Sequence, residues 1–556
     1  MKELTLGVEV FGRGPDFDPS ADNVVRVEAR RLRQRLRTYY LDEGRADEVI
    51  IELPVGGYVP QFSRRAAPEA PATGGRPWFR VSALAAILLV VLASLAVLWL
   101  RHREPPLLAV LPFAEFGSAG DNPGRGDSIA DDILQLLAET PRLRVVSRTS
   151  AFRFRSQSTG LAEIRRQLGA QVLLEGSVKQ VGNQTQISAR LVRGETGVPI
   201  WAGTQEADAE GLGVAERAIA AGVAAALKAG ALPPAPAHSP APEVRDLLAQ
   251  ARFLAARGGS PSRQRAVDLY RRAVALDPGY ARAWGELARQ LSLNAFHESG
   301  EADRLTREAR DSAARALRLD PNLADAHFAL ARLAWFRDWD WVAAERGWKR
   351  VLEINPSYAG AHQAYALALV TRRRFGEALA HSRRAVELDP LAYAASNDLG
   401  AILYVARRFD EAAAHARASL SLVPGSPAAL FLLGTVDAAR RRYPDAIREL
   451  EESAGLQSRD PSILGRLGNA YARAGRLREA QSVLTELERN PKAPCIYLAM
   501  VETGLGRQDR ALQLLERSVA GREPDAVFLG VDAVFDPLRR DSRFRALCAK
   551  LGVPSG

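Results

Sequence analysis

Apolar residues recur every three or four positions between residues 22 and 42, which predicts a helix with one apolar face. The stretch VIIELPVGGYVPQF at 49–62 then alternates around a Pro-Val-Gly-Gly centre, which is typical of a β-hairpin with a glycine-rich turn. We therefore expect a helix followed by a hairpin in an N-terminal segment, residues 1–62. The apolar stripe of the helix consists of Val25, Ala29, Leu32, Leu36 and Tyr40.

An uncharged apolar run occupies residues 81–100, and Arg80 and Arg101 flank it. A helix of this length spans about 30 Å, the thickness of a bilayer core. We expect a transmembrane helix over 80–101, after a Pro/Ala/Gly-rich linker at 63–79; the alternative is a buried globular helix. Because more arginines precede the run than follow it, we expect an inner-membrane protein with a cytoplasmic N-terminus and periplasmic C-terminal domains.

Short apolar strands alternate with amphipathic helices from residue 105 to residue 229, which predicts a small α/β domain. LLAVLPF at 107–113 begins it, and a hairpin with Gly182-Asn183 at its turn lies in its second half. Asp131 and Asp132 fall near the start of a predicted helix, where acidic side chains are favourable. A Pro/Ala-rich linker at 230–242 ends the domain.

A 34-residue period governs residues 243–521. Leu-Gly is followed twelve positions later by Ala and then by Pro after Asp or Asn, which is the signature of tetratricopeptide repeats. The small residues let paired helices approach, and the proline ends the second helix. We expect about eight helical hairpins that stack into a superhelix with a groove, since each hairpin buries its apolar face only against neighbours. The signature positions are Pro356, Ala378, Pro390, Leu399, Gly400, Ala412, Pro424, Leu433, Gly434, Ala446, Leu467, Gly468 and Ala480.

Side chains on the first helix of each hairpin are candidates for lining the groove, and from position alone we select His362, Asn397, Arg466 and Asn469. Residues 522–556 are predicted to form capping helices with a polar outer face. A group of tryptophans in the third repeat is expected to pack between hairpins; the alternative is an aromatic ligand-binding surface. These tryptophans are Trp335, Trp339, Trp341 and Trp348.

The basic composition of the chain bears on its possible partners. The net charge is +10 and the isoelectric point is about 9.8, mostly because of arginine. A basic balance is compatible with nucleic acid or anionic lipid, and equally with arginine used on solvated helix faces. Cys495 and Cys548 are far apart and form no CxxC motif, which excludes a disulfide framework and a cysteine-based zinc site.

Arginines form a second stripe on the N-terminal helix. VRVEARRLRQRL followed by IELPVGGYV resembles the recognition helix and wing of OmpR/PhoB-type winged-helix domains, although residues 1–62 are shorter than that domain. The resemblance implies that the arginine stripe faces DNA and that Gly57 and Tyr58 close the wing. Guanidinium groups suit both phosphates and guanine edges. The alternative is a partial winged helix whose arginines are only solvated. The stripe consists of Arg26, Arg30, Arg33 and Arg37.

LAVLPF, VVSRTSAF, LGAQVLLEGSV and ISARLVRGETGVPIWA resemble the TolB-like (FlgO-like) domain, which implies no catalytic residues. Common phosphate-binding, metalloprotease and nucleophile-elbow motifs are missing from the sequence. We therefore expect no enzymatic activity, no cofactor and no metal site.

The predicted fold class is multidomain: a mainly α tetratricopeptide superhelix, a small α/β TolB-like domain, one transmembrane helix and a partial winged helix, in a ToxR/CadC-like architecture. The function we expect is a membrane-anchored scaffold for a protein or peptide ligand, coupled to transcriptional regulation through DNA bound by residues 1–62. The alternative is an envelope assembly scaffold or accessory subunit without DNA binding. The membrane bilayer is a further expected partner, and an oligomer is compatible with the sequence.

Overall fold

The computed structural model describes residues 2–64, 104–116, 124–155, 159–236, 238–257, 259–297 and 301–555. The chain divides into two compact units, Met1–Arg103 and Glu104–Gly556, which are described separately.

The first unit contains the helix and the hairpin that the apolar spacing predicts. A short helix α1 (Glu3–Glu9) precedes helix α2 (Val24–Leu41), and strands β1 (Val49–Glu52) and β2 (Gln61–Arg64) pair antiparallel. Its apolar interior is small, and Val25 is its most buried large side chain at 1% exposure.

The second unit begins with an α/β domain. Its strands are β3 (Leu107–Val110), β4 (Ala114–Phe116), β5 (Arg144–Val145), β6 (Val172–Val181), β7 (Gln184–Arg193) and β8 (Pro199–Ala207). They lie in the order β5-β3-β6-β7-β8, with β4 beside β6. β3 is parallel to β5 and β6, whereas β6, β7 and β8 are antiparallel neighbours.

Helices cover both faces of this sheet. They are α3 (Arg125–Ala138), α4 (Arg148–Ala151), α5 (Leu161–Leu168) and α6 (Leu212–Ala226). α3 and α6 bury their apolar stripes against one face, and α5 packs on the other. The second face also receives Ala359 and Leu388 from the repeat array, so the domain and the array share apolar contacts.

The described residues between Pro242 and Ala520 form eight antiparallel helical hairpins, numbered here repeats 1 to 8. The first helix of repeat 3 ends in a π-helical turn, Ala334–Asp338. In chain order the paired helices are α7 (Pro242–Arg257) and α8 (Ser260–Leu276), α9 (Ala281–His297) and α10 (Ala302–Leu319), α11 (Ala324–Leu333) and α12 (Trp341–Ile354), α13 (Ala359–Thr371) and α14 (Phe375–Leu388), α15 (Tyr393–Val405) and α16 (Phe409–Leu422), α17 (Pro427–Ala439) and α18 (Tyr443–Leu456), α19 (Pro461–Arg473) and α20 (Leu477–Arg489), and α21 (Cys495–Gly504) and α22 (Gln508–Ala520).

The turns inside the later repeats share one backbone feature. Arg373, Arg407 and Arg441, which recur every 34 residues, have φ values of 61°, 63° and 62°. This left-handed conformation ends the first helix of the hairpin, and glycine adopts it at the lowest cost. Gly475 and Gly506 hold the corresponding positions in repeats 7 and 8.

The chain after the last repeat folds back onto the array. Two 3₁₀ turns, Pro524–Phe528 and Ala533–Leu538, precede helix α23 (Ser542–Lys550). Phe535 and Phe544 are fully buried in a core that they share with α21 and α22. Residues 522–556 therefore do more than present a polar end to the solenoid.

The predicted fold class is wrong in one respect. No helix among the described residues is long and apolar enough to cross a membrane. The longest helices there, α2 and α10, have 18 residues each but carry arginine at several positions. The fold is a mainly α repeat superhelix with a smaller α/β domain, and it lacks the predicted transmembrane helix in its described part. The segment 80–101 itself lies outside the described residues, as does most of the linker at 63–79.

Candidate protein-binding surface

The signature residues of the repeats lie inside the array, where they set helix packing. Ala378, Ala412, Ala446 and Ala480 are completely buried. A Cβ added at Gly434 would lie 2.8 Å from Leu450 Cγ and 3.0 Å from the Ala446 carbonyl oxygen. These positions therefore serve close approach of helices and offer no side chain to a partner. Gly400 and Gly468 are similarly crowded by Leu432 and Val501, Leu433 and Leu467 are buried, and Leu399 packs at the margin of the core. Pro356, Pro390 and Pro424 follow the second helices α12, α14 and α16.

Two of the predicted groove residues also lie between helices. His362 contacts His381 through their Nδ1 atoms at 2.8 Å, and its Nε2 lies 3.2 Å from the Pro356 carbonyl oxygen. Burial, together with His381, lowers the pKa of His362 to about 4, so the ring is neutral at pH 7. Asn469 donates from Nδ2 to the Met500 carbonyl at 2.7 Å and is itself buried. Asn397 is half-buried on α15.

Arg466 on α19 reaches a different environment, because it meets the segment that follows the repeats. Its Nη2 lies 2.8 Å from Asp532 Oδ2, and the two side chains are only 16% and 7% exposed. Tyr404 donates its hydroxyl to the same carboxylate at 3.0 Å, and the Val534 backbone N–H does so at 3.0 Å. The Arg466 guanidinium also lies 5.5 Å from the centres of the Tyr404 and Phe431 rings.

The charge of Asp532 is maintained by these partners. Burial alone would raise the pKa of this carboxyl, but the Arg466 guanidinium and the hydrogen-bond donors outweigh it and hold the pKa below its usual value. A buried, ionised carboxylate is thus matched by one arginine and one tyrosine from repeats 7 and 5.

The segment 523–538, called here the bridge segment, continues from this point to other repeats. Phe528 packs edge-to-face on Trp335 of repeat 3, with ring centres 6.0 Å apart. Asp536 pairs with Arg407 of repeat 5 at 2.7 Å, and the Tyr497 hydroxyl of repeat 8 donates to Asp525.

The residues beside the bridge segment tie its flanks to repeats 3 and 8. Arg337 and Arg522 each donate to the other's backbone carbonyl, at 3.0 and 2.6 Å. Trp341 Nε1 donates to the Leu551 carbonyl at 3.0 Å. Glu523, the first residue of the bridge segment itself, accepts from the backbone N–H groups of Cys495 and Ile496 at the start of α21.

We call the surface formed by Trp335, Tyr404, Arg466 and Tyr497 the inner face of the array. All four residues come from first helices or the turns that end them, in repeats 3, 5, 7 and 8. Two other tryptophans of repeat 3 differ in their environment. Trp348 is fully buried against Phe328, whereas the ring of Trp339 lies 4.9 Å from the Arg522 guanidinium, next to the bridge segment.

The acidic pair of the α/β domain has a docking role. Asp131 and Asp132 lie in the middle of α3, and Asp127 is the acidic residue of its first turn. Asp131 Oδ2 lies 3.0 Å from Arg252 of repeat 1, which also holds Glu286 of repeat 2 at 2.6 Å. These buried pairs connect the domain to the array, and within the described residues no cluster suited to a metal ion is found.

The arginines of α2 have different environments from one another. Arg26 pairs with Glu3 at 2.8 Å, and Arg33 donates to the backbone carbonyls of Leu53, Pro54 and Gly57, which fixes the hairpin turn next to the half-buried Tyr58. Arg30 and Arg37 are exposed. Residues 1–64 contain ten basic and eleven acidic residues, so this segment has no net positive charge. DNA binding by α2 stays a prediction.

Known proteins resemble parts of this chain. The family model described as "Tetratricopeptide repeat" matches residues 364–427 and 431–494. A protein named putative adenylate cyclase 3 of Rhizobium meliloti (strain 1021) is 28% identical over 244 residues, which is 42% of this chain and 41% of that protein. The chain thus spans less than half the length of this relative.

Solved structures resemble parts of this chain at low similarity. PilW, described as a type IV pilus biogenesis factor, is 22% identical, covers 38% of this chain and 98% of its own, and has a TM-score of 0.31. The pilF protein of Pseudomonas aeruginosa is 21% identical over 38% of this chain and 94% of its own, with a TM-score of 0.30. YrrB, described as having an unusual peptide-binding site, is 20% identical over 36% of this chain and 97% of its own, with a TM-score of 0.27. The chain therefore carries tetratricopeptide repeats, and the prediction of this repeat class from its 34-residue period is confirmed.

Proposed function

We propose that this chain is a non-catalytic scaffold, and that the inner face of its repeat array binds a peptide-like segment of a protein partner. The observation that carries this proposal is the convergence of repeats 3, 5, 7 and 8 on one short stretch of chain. Trp335, Tyr404, Arg466 and Tyr497 all contact residues between 525 and 532. A surface that holds one such segment by side-chain contacts has the chemistry to hold another.

The inner face combines features that are common where proteins bind peptides. Aromatic rings and arginine are enriched at the energetically important positions of protein interfaces. Arg466 is mostly withdrawn from water and aimed at a carboxylate, so it discriminates strongly between an acidic and a neutral side chain. The partner proposed here presents an acidic residue between apolar ones.

The chain spans 41% of the protein named as an adenylate cyclase, and the aromatic and arginine side chains of the inner face form a ring contact, hydrogen bonds and an ion pair, so the role proposed for this face is binding and not catalysis. The predicted inner-membrane location also stays a prediction.

Selection of peptides on the full chain tests the scaffold directly. A library of random displayed peptides is passed over immobilised protein, and the enriched sequences are expected to contain an acidic residue flanked by apolar ones. They should bind Arg466→Gln at least tenfold more weakly than the unchanged chain. Arg459→Gln is the matched control, because Arg459 forms an exposed ion pair with Glu486 on repeats 6 and 7 and does not reach the bridge segment. Enrichment of nothing above an empty surface, on the unchanged chain and on an Asp532→Asn chain that lacks the competing carboxylate alike, or equal binding to the Arg466 and Arg459 variants, contradicts the proposal.

A further inference from the structure

We propose that the bridge segment is an internal ligand of the inner face, and that an acidic, apolar-flanked peptide of the partner binds by displacing it. This inference rests on the proposed scaffold function and adds its regulation. The pattern to be matched is that of the bridge segment itself, with Asp532 between Phe528 and Phe535.

The bridge segment does not resemble another repeat. It consists of two short 3₁₀ turns, and none of the 34-residue signature continues into it. Its contacts are made to side chains from four separate repeats, as those of a bound peptide would be. It therefore occupies the surface that we propose binds the partner.

The deepest contact specifies a carboxylate. Asp532 receives hydrogen bonds from Tyr404, Arg466 and the Val534 backbone. An arginine this far from water is costly without its partner, whereas the pair as a whole contributes little more stability than apolar side chains would. The Asp532 carboxylate of this pair can be exchanged for that of an entering peptide, because the new carboxylate restores the ion pair with Arg466.

The contacts nearer the surface are weaker. Arg407 and Asp536 keep 37% and 45% of their side chains exposed, so water screens their ion pair and its contribution to stability is small. An entering peptide can break this pair first and then compete for Arg466.

Both ends of the bridge segment are held independently of the inner face. Its N-terminal side continues directly from α22. On its C-terminal side, α23 stays docked on repeat 8, because Phe544 shares a core with Leu512 and Leu515 and Arg543 pairs with Asp509 at 2.8 Å. If the bridge segment leaves the inner face as a loop between these two points, its buried Val527, Leu529 and Phe535 become exposed, so the entering peptide must bury apolar side chains in their place.

The attachment of the bridge segment to the chain at both ends determines how strongly it competes with a free peptide. A segment linked on both sides has an effective concentration of about a millimolar or more, so a free peptide of the same sequence binds the unchanged chain weakly. Weakening the bridge segment without changing the inner face should reveal that binding.

The test uses a fluorescein-labelled peptide with the sequence of residues 524–540 and measures its binding to the full chain by anisotropy. Asp532→Asn in the chain is expected to tighten binding at least tenfold, because the internal competitor loses its carboxylate while Arg466 remains. Asp536→Ala, at the exposed pair, is expected to tighten it about two- to threefold, by the loss of a surface pair. The same peptide with Asn at the position of Asp532 is the probe control and should bind at least tenfold more weakly.

A reversible lock supplies the second arm. Arg407→Cys and Asp536→Cys are joined by a bismaleimide with a cleavable spacer, in a Cys495→Ser background; the remaining Cys548 is fully buried. The locked chain should bind no labelled peptide, and cleavage of the spacer should restore binding. A chain with only the Arg407→Cys change, treated identically, controls for the reagent.

The outcomes separate this inference from the scaffold proposal. If variants with unchanged circular dichroism bind the peptide no better than the original chain, or if the locked chain binds it equally well, the bridge segment is a permanent part of the fold and the inference is wrong. The scaffold proposal survives that result as long as library-selected peptides still depend on Arg466. If neither selected peptides nor the labelled peptide binds any variant, both are wrong.

Discussion

Repeats 4 to 7 and the bridge segment hold the array together in opposite ways. In these repeats each signature residue contacts its own hairpin or the next one, as Gly434 does with Ala446 and Gly400 with Leu432. The bridge segment instead connects positions far apart in sequence: 128 residues separate Tyr404 from Asp532, and 129 separate Arg407 from Asp536.

The difference shows that this array departs from a one-dimensional solenoid. Stacked repeats normally depend only on nearest neighbours, so that damage stays local. Here repeats 3, 5, 7 and 8 share a common segment, and a change at that segment should be felt in all of them.

The largest effect is expected for Arg466→Ala, which leaves the buried Asp532 carboxylate without its ion-pair partner. Loss of one member of a buried pair costs about 3–5 kcal/mol. Hydrogen exchange should show faster exchange in repeats 3 and 5 as well as in repeat 7, because the bridge segment contacts all three. Arg459→Ala removes an exposed pair and should cost at most about 1 kcal/mol. Equal, local effects of the two changes would remove the distinction between the bridge segment and the repeats.

Acid is expected to weaken repeat 4 through His362. The pKa of this ring is lowered to about 4 in the fold, from 6.5 when unfolded, chiefly by burial and then by His381, with Arg384 adding to the effect. Its contribution to stability is therefore complete above pH 6.5 and is lost as the pH falls towards 4, by about 3 kcal/mol. Denaturant unfolding across this range measures it. His362→Gln keeps hydrogen-bonding groups without titrating and should flatten the dependence; an unchanged slope would show that another group is responsible.

Crowding a signature glycine should give a smaller and local effect. Gly434→Ala places a methyl group against Leu450 and the Ala446 backbone, and overpacking of this kind costs about 1–3 kcal/mol. Faster hydrogen exchange should be confined to repeat 6 and its neighbours. Gly376→Ala is the matched control, because a Cβ there meets open space and alanine favours the helix by up to about 1 kcal/mol. Exchange that spreads to repeat 3 would contradict the nearest-neighbour account of this region.

The smallest effect is expected at the turns between helices. Arg441 has a φ of 62°, and Arg441→Gly should stabilise the chain by about 0.5–1 kcal/mol, because glycine adopts this conformation without strain. Gly475→Arg at the equivalent position of repeat 7 should destabilise it by a similar amount. A thermal melt of both variants measures the two shifts, which should be opposite in sign.

The regular repeats could be predicted from the sequence, because the contacts between their helices recur with the same 34-residue period as the signature residues. Leu-Gly, alanine and proline at a fixed period report which helix faces meet, so the repeat class follows from a single chain. Even the left-handed turns at Arg373, Arg407 and Arg441 have the same period and could have been predicted from it.

The bridge segment could not be predicted in this way. No local pattern connects Asp532 with Tyr404 and Arg466, since the contact exists only after eight hairpins have stacked. Position on a first helix selected Arg466 together with His362 and Asn469, but the direction of each side chain depends on its place along the helix, and the latter two point between helices. Likewise, Asp131 near a helix start suggested a helix-terminal charge, whereas its partner Arg252 belongs to repeat 1.

A double-mutant cycle between Arg466 and Asp532 tests the central claim most directly. Arg466→Met, Asp532→Ala and the double variant of the full chain are unfolded by denaturant, and the coupling free energy is taken from the difference between the double change and the sum of the single ones. We predict a coupling of about 2 kcal/mol, within the range for residues that share a buried network. A coupling of zero within error, with each single change affecting stability independently, would show that the bridge segment is not held on the inner face by this pair.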